Sequence, residues 1–147
     1  MKLTKKLASL AVASAVSCSA MLAGEVKIGV IMPMSGPIGG FGQSAVEGLE
    51  VAHDMQPKLK NGDEIKLVLV DNKSDKIEAA NAATKLVSSD KVSAIIGALT
   101  STNTMSMTKI AENGKVPVVA PVATNILVTK RKDFVSRVCF SDAFQGE

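Results

Sequence analysis

Val26-Lys-Ile-Gly-Val-Ile-Met32 is a short apolar run rich in β-branched residues, and it predicts a buried strand. Four further runs of this type follow, mostly separated by stretches with helical periodicity. The predicted strands after the first are 65–70, 92–96, 116–119 and 134–138, and the predicted helices are 44–55, 75–87 and 101–113. Strands that alternate with helices form right-handed crossovers in one parallel sheet. We therefore expect an α/β fold, an open parallel sheet with helices on both faces.

The helices are predicted with defined ends and buried faces. Asp75 and Glu78 have the spacing of a capping box at the start of the second helix, and Gly114 is the expected stop of the third. We expect the apolar stripes that face the core to be Ala45, Leu49, Ala52 and Met55 in the first helix, and Ile77, Ala80, Ala83 and Val87 in the second.

Residues 1–23 have the features of a signal peptide. Their basic start precedes an apolar run, 7–16, and small residues follow up to Ala23. Ten apolar residues are too short for a hydrocarbon core of about 30 Å, so we do not expect a stable membrane span. The segment 15–18 loosely resembles a lipoprotein box, which leaves lipid anchoring through Cys18 as an alternative to simple export. Besides Cys18 the chain has only Cys139, so a disulfide framework is excluded.

The charge of the chain excludes a polybasic surface. The formal charge of +3 corresponds to Lys2, Lys5 and Lys6, which all lie in the leader. The remaining residues carry equal numbers of basic and acidic side chains. We therefore expect no nucleic-acid partner.

Two predicted strand ends are followed by hydroxyl-bearing loops. The first is Thr100-Ser-Thr-Asn-Thr104, at the start of a helix, and the second is Ala120-Pro-Val-Ala-Thr-Asn125. Unpaired N–H groups and the positive dipole end of a helix favour an anion such as a carboxylate. The alternatives are simple helix capping for the first loop and a turn imposed by Pro121 for the second.

Signs of catalysis, metal binding or cofactor binding are weak. Gly40-Phe-Gly42-Gln-Ser-Ala45 matches a dinucleotide fingerprint in letters, but the residues between the strand and Gly40 displace it from the strand end. His53 is the only histidine, and we expect it on a helix surface or half-buried there. We expect Cys139 to be a small buried residue on the last strand. We predict no catalytic residue, no metal ligand and no cofactor.

Several segments together resemble a known family. They are Val26-Lys-Ile-Gly-Val-Ile-Met-Pro-Met-Ser-Gly-Pro37, Gly39-Gly-Phe-Gly42, Asp71-Asn72 with Asp75, Ile95-Ile-Gly-Ala-Leu-Thr-Ser-Thr102, Pro117-Val-Val-Ala-Pro-Val-Ala-Thr124, Arg137 to Asp142, and Gln145-Gly146. In this order and spacing they are similar to the branched-chain amino acid binding proteins of bacterial ABC importers. These are type I periplasmic binding proteins, of the leucine/isoleucine/valine-binding family.

The resemblance implies a domain organisation. Members of the family fold as two lobes joined by hinge strands, with the ligand between the lobes. Residues 24–139 would form a Rossmann-like N-terminal lobe, incomplete because a late strand should return to it. Residues 140–147 would form the hinge and the start of a second lobe, most of which is missing from this sequence.

The resemblance also implies four ligand-binding residues. Ser101 lies where a hydroxyl and a backbone N–H hold the ligand carboxylate, and Thr124 lies where a threonine binds the carboxylate or the ammonium group. Val122 contributes main-chain groups. Phe41 lies where many members have an aromatic residue over the ligand side chain. The carboxylate that pairs with the ammonium would belong to the second lobe.

The function implied is that of an exported, periplasmic solute-binding subunit of an ABC importer. It would bind a branched-chain or other small amino acid without catalysis, deliver it to an inner-membrane permease, and be a monomer at full length. Two alternatives are the ligand-sensing domain of a receptor with the same fold and a secreted α/β enzyme. An enzyme would need acid, base or nucleophilic groups in the strand-end loops, where hydroxyls and glycines dominate.

Overall fold

A computed structural model describes residues 24–146, in which a parallel sheet carries helices on both faces. The elements in chain order are β1 (Glu25–Met32), α1 (Gly39–Met55), β2 (Glu64–Asp71), α2 (Lys76–Lys85), a π-helical turn (Leu86–Asp90), β3 (Ala94–Gly97), α3 (Ser101–Gly114), β4 (Val118–Ala120), a 3₁₀ turn (Ile126–Val128), β5 (Val135–Arg137) and α4 (Asp142–Gln145). The predictions for the leader and for Cys18 lie outside the described residues.

The side chains of β1 show how helices pack on both faces of the sheet. Successive side chains of a strand point to opposite faces. Ile31 packs into one core cluster with residues of α2 and α3, such as Ala83 and Met107. Val30 and Met32 pack on the opposite face against α1. The predicted α/β fold, an open parallel sheet with helices on both faces, is therefore confirmed.

The strand order is β2-β1-β3-β4-β5, and every neighbouring pair is parallel. The chain leaves β1 toward one edge of the sheet and leaves β3 toward the other edge. Right-handed crossovers in opposite directions place α1 and α3 on opposite faces. The loops after β1 and β3 therefore diverge and leave a crevice at the carboxyl ends of the strands, where open α/β sheets bind ligands.

Helix α1 differs from the prediction in its start and in part of its buried face. It begins at Gly39 rather than at residue 44, and its buried residues are Gly39, Gly42 and Val46. Of the predicted stripe, Ala45 and Leu49 pack partly buried against the core. Met55 is exposed. Glycine signals a loop in a sequence, but here it allows close packing: a Cβ on Gly42 would lie 2.1 Å from the carbonyl oxygen of Pro33.

Helix α2 also presents a different stripe from the predicted one. Its buried residues are Ala79, Ala82 and Ala83, followed by Leu86 in the π-helical turn, and Ile77 is 63% exposed. Of the predicted stripe, Ala83 alone is fully buried. Alanines allow a helix to approach its neighbour closely, and the packing of α2 against α3 uses them in place of the larger side chains.

The predicted helix ends are correct only in part. Asp75 caps α2 by accepting hydrogen bonds from the N–H groups of Ile77 and Glu78. The Glu78 carboxylate does not complete the box, because the Asp75 N–H donates to the Asn72 carbonyl and Glu78 lies 3.9 Å from the Lys73 ammonium.

Two predictions near other element ends are wrong. Gly114 is the last residue of α3 rather than its stop, and Lys115 takes the left-handed conformation, with φ 53°. A Cβ on Gly114 would lie 2.5 Å from Val87, so this glycine is needed for packing. Cys139 is half-buried and lies beyond β5, which ends at Arg137.

Candidate ligand-binding site

A cavity of about 430 Å³ opens at the carboxyl ends of β1, β3 and β4. The loops after these strands, together with the starts of α1 and α3, supply its lining: Ile38, Phe41, Ala45, Leu99, Thr100, Ser101, Val122 and Thr124. All four residues predicted for the site, Phe41, Ser101, Val122 and Thr124, are among them. The lining is mostly apolar, contains no charged side chain, and has its hydroxyls at the start of α3 and in the loop after β4.

Two threonines satisfy the start of α3. Thr100 is the N-cap, and its hydroxyl accepts a hydrogen bond from the Asn103 N–H at 3.3 Å. The Thr104 hydroxyl donates to the Thr100 carbonyl at 2.7 Å and accepts from the Ala98 N–H at 3.0 Å. Because Thr100 supplies the cap, the capping alternative accounts for Thr100 and not for Ser101.

The Ser101 hydroxyl faces the loop after β4 instead of the helix. It accepts a hydrogen bond from the Asn125 N–H at 3.1 Å, which leaves its own proton free to donate. Within residues 24–146, the N–H groups of Ser101 and Thr102 donate to no acceptor outside or inside the helix. These groups form the positive end of a 14-residue helix.

Thr124 lines the same cavity. In the described part of the chain, neither its N–H nor its hydroxyl has a hydrogen-bond partner. Its carbonyl is fully engaged, since it accepts from a guanidinium nitrogen of Arg137 at 2.8 Å and from the Asp142 N–H at 3.0 Å. Val122, beside it, is 52% exposed. The chain bends at Pro121 and Val122, ahead of Thr124.

The β1–α1 loop forms the apolar wall of the cavity. Phe41 lies in the first turn of α1 and is 75% exposed, so little of the fold depends on its ring. The four-residue stretch 35–38 before the helix is held from the end of β2. The Ser35 hydroxyl donates to the Asp71 carboxylate at 2.6 Å, and the Ser74 hydroxyl donates to the Ser35 carbonyl at 2.8 Å.

Hydrogen bonds lower the pKa of the Asp71 carboxyl group, which anchors this wall. Partial burial acts to raise the pKa, but four hydrogen bonds outweigh it and leave the pKa of Asp71 below its ordinary value of 3.8. The donors are the Ser35 hydroxyl and the N–H groups of Lys73, Met34 and Ser35. The carboxylate is therefore held ionised as an anchor for the loop, away from the cavity lining.

Arg137 and Asp71 are structural partners of the site that sequence reasoning missed. In the sequence, each is a charged residue at the carboxyl end of a predicted strand: Asp71 ends β2 and Arg137 ends β5. That position does not say whether the charge faces ligand, solvent or backbone, and both groups bind backbone.

A larger depression of about 500 Å³ lies elsewhere, between α3 and the segment before β5. Its lining is Met105, Thr108, Leu127, Lys130, Arg131 and Lys132, and it contains none of the predicted site residues. Among residues 24–146 there is no cluster of three or more histidine, cysteine or carboxylate side chains able to hold a metal ion. In the same range no helix has the length and hydropathy needed to cross a membrane.

Comparison with known proteins identifies the family. The sequence profile described as periplasmic binding protein matches residues 25–144. The leucine-specific-binding protein of Salmonella typhimurium is 33% identical over 139 residues, which are 92% of this chain and 37% of that protein. The chain thus spans well under half the length of this relative.

Solved structures agree with this assignment. The leucine binding protein LivK of Thermotoga maritima is 50% identical with a TM-score of 0.80, over 82% of this chain and 34% of that one. The substrate binding protein LivJ of Streptococcus pneumoniae, in complex with isoleucine, is 33% identical with a TM-score of 0.76, over 81% of this chain and 35% of that one. The chain therefore belongs to the periplasmic binding protein family, and its parallel sheet with the helices on both faces fits a lobe of the type I fold.

Proposed function

We propose that this chain binds the carboxylate of a small amino acid in the cavity at the ends of β1, β3 and β4, as part of an exported solute-binding subunit of an ABC importer. The observation that carries the proposal is the convergence of unpartnered donors from Ser101 and Thr124 in an otherwise apolar cavity. The named relatives, which bind leucine or isoleucine, support it.

The donor set suits a carboxylate. The Ser101 hydroxyl, the N–H groups at the start of α3, and the N–H and hydroxyl of Thr124 are all able to donate to anionic oxygens. Hydrogen bonds to a charged acceptor contribute about 1.5–3 kcal/mol each, more than those to a neutral one. The positive end of α3 adds to this preference.

The rest of the lining suits an apolar ligand side chain. Ile38, Phe41, Ala45 and Leu99 form a wall without charged groups. A charged ligand side chain would lose its hydration there without gaining a partner. We therefore propose that branched-chain and other apolar amino acids are preferred over acidic or basic ones.

The lining offers no carboxylate to the ligand ammonium, so we propose that its partner belongs to a second lobe. Residues 24–139 would form one lobe, and residues 140–147 would begin the hinge. The ligand would bridge both lobes and stabilise the closed form, in which a membrane permease recognises a monomeric, periplasmic protein. The hydroxyls and main-chain groups of the lining serve binding, and we assign no catalytic step to them.

The carboxylate assignment is tested by titrating the ¹⁵N-labelled chain with three matched ligands. L-Leucine carries both charges, 4-methylpentanoate lacks the ammonium, and 3-methylbutylamine lacks the carboxylate. We expect leucine and 4-methylpentanoate to shift the amide resonances of Ser101, Thr102 and Thr124, and the amine to leave them in place. The amide of Lys132, beside the other depression, is the internal control. If the amine shifts the site amides and the acid does not, the carboxylate assignment is wrong.

The two-lobe part of the proposal is tested on a chimaera. Residues 25–144 would replace the matching segment of the Thermotoga maritima leucine binding protein, which is 50% identical. We expect leucine to reduce the radius of gyration measured by small-angle X-ray scattering. A chimaera that binds leucine without any change of radius would contradict closure around the ligand.

Export is tested by mass spectrometry of the mature protein. We expect an N-terminus between Ala20 and Glu25, as the leader 1–23 predicts. A diacylated Cys18 at the N-terminus would replace simple export with lipid anchoring.

A further inference from the structure

Arg137, the last residue of β5, binds three consecutive carbonyl groups of the loop after β4. Its Nη1 lies 3.4 Å from the Ala123 oxygen, 2.8 Å from the Thr124 oxygen and 3.0 Å from the Asn125 oxygen. Its Nη2 donates to the Thr129 hydroxyl at 2.9 Å. Within residues 24–146 the guanidinium forms no ion pair with a carboxylate. Its charge is satisfied by the backbone of the loop that lines the cavity.

Because a peptide bond is planar, a contact that fixes a carbonyl group also fixes the direction of the N–H group in the same peptide. In a trans peptide the C=O of one residue and the N–H of the next point in opposite directions. The Thr124 carbonyl points to Arg137, and the Asn125 N–H of the same peptide donates to the Ser101 hydroxyl on the other side. The Ala123 carbonyl also points to Arg137, so the Thr124 N–H points away from it and is left without a partner in the described residues.

We propose that Arg137 is a positioning residue for the anion-binding donors: by holding the carbonyls of Ala123 and Thr124 it aims the Thr124 N–H at the cavity and orients the Ser101 hydroxyl through Asn125. This inference rests on the proposed function. Arg137 itself does not line the cavity. It acts through the two peptides between it and the donors.

The same contact ties the site to the segment that follows β5. The Thr124 carbonyl accepts from Arg137 and also from the Asp142 N–H, at the start of α4. A displacement of the loop on ligand binding is therefore transmitted to residues 138–146. Asp142 lies within residues 140–147, for which we propose the hinge.

The chemistry explains why the residue is an arginine. A guanidinium presents several donors in one rigid plane, whereas an ammonium presents a single compact point charge on a flexible stem. One planar group can hold three carbonyls and a hydroxyl in a fixed relation. Lysine at the same place keeps the charge and loses this relation.

The test compares Arg137→Lys and Arg137→Gln with Arg131→Lys, the matched control, because Arg131 is exposed and lies outside the cavity lining. The probe is L-leucine, titrated against the ¹⁵N-labelled chain. We expect both Arg137 variants to bind about tenfold more weakly. We also expect their Asn125 amide to exchange with solvent at least tenfold faster, without ligand present. Arg131→Lys should match the parent in both measurements.

A double-mutant cycle with Ser101→Ala separates positioning from general destabilisation. If Arg137 acts through Asn125 and Ser101, the losses of affinity in Arg137→Lys and Ser101→Ala are not additive, whereas independent losses add. Full additivity, or an unchanged Asn125 exchange rate in both Arg137 variants, would overturn the inference. A parent chain that binds no leucine would refute the proposed function alone, because the exchange measurement needs no ligand.

Discussion

The hydroxyl of Ser101 and the backbone N–H of Asn125 are 24 residues apart in sequence and are joined by a hydrogen bond of 3.1 Å. This bond connects the start of α3 to the loop after β4, so the two hydroxyl-bearing loops form one wall of the cavity. Ser101 accepts in this bond, and its own proton stays able to donate. The relationship distinguishes Ser101 from Thr100 and Thr104, whose hydroxyls are used within their own turn.

Replacing Ser101 by alanine should weaken leucine binding about tenfold or more, because a hydrogen bond to a carboxylate contributes about 1.5–3 kcal/mol. The free energy of unfolding should fall by about 1 kcal/mol through loss of the bond from Asn125. Amide titrations and denaturant unfolding measure the two effects. Thr102→Ala is the control, since this exposed neighbour does not line the cavity. Equal binding by Ser101→Ala and the parent would remove Ser101 from the site.

Replacing Phe41 by alanine should weaken leucine binding without lowering stability. The ring lines the cavity but is 75% exposed without ligand, so the thermal midpoint should change little. Binding of leucine should weaken about fivefold, because partial burial of the ring against the ligand contributes about 1 kcal/mol. Binding of acetate, which has no side chain to contact the ring, should be unaffected. An equal loss for leucine and acetate would contradict a side-chain contact.

Gly42 and Gly48 of α1 form a matched pair that tests how closely the helix packs against the loop after β1. In Gly42→Ala the new Cβ would lie 2.1 Å from the Pro33 carbonyl oxygen, whereas at Gly48 a Cβ meets no atom within 4 Å. We expect Gly42→Ala to lower the free energy of unfolding by about 1–3 kcal/mol through overpacking. Gly48→Ala should raise it by about 0.5–1 kcal/mol, since alanine favours the helix. Chemical denaturation compares both with the parent, and equal effects would show that α1 does not approach Pro33 closely.

Asp71→Asn should destabilise the chain at neutral pH and not in acid. The native pKa of Asp71 lies below its ordinary value of 3.8, so the ionised carboxylate stabilises the fold above that value. This contribution is lost as the pH falls through the lower, native pKa. We expect the parent to be more stable than the variant above about pH 5, and the difference to shrink as the pH falls below about 3.8 and to be lost below the native pKa.

Unfolding curves at several pH values give this difference, with Asp54→Asn on α1 as the control carboxylate. A difference between parent and Asp71→Asn that stays constant down to pH 3 would show that the carboxylate charge is not what holds the loop.

The location of the site could be predicted from the sequence because it depends on local patterns. Each hydroxyl-bearing loop follows a recognisable strand, and parallel strands bring their carboxyl ends to one edge. The sequence therefore predicts that Thr100 to Thr104 lie beside the loop that ends at Asn125. The sequence could not predict which hydroxyl caps α3 and which one contacts the loop after β4. Thr100, Ser101 and Thr104 are chemically alike and differ only in the groups that the fold places opposite them.

The sequence by itself determined the fold class of this protein and the edge of the sheet where the hydroxyl-bearing loops collect. Strand and helix periodicities are local, and the right-handed crossover leaves few topologies for them. Only the tertiary structure decided which faces pack and which donors stay free. The alanine face of α2 and the glycines of α1 and α3 depend on how closely neighbouring backbones approach. The role of Arg137 depends on three carbonyls aligned by a loop that is distant in sequence, and no local pattern contains that alignment.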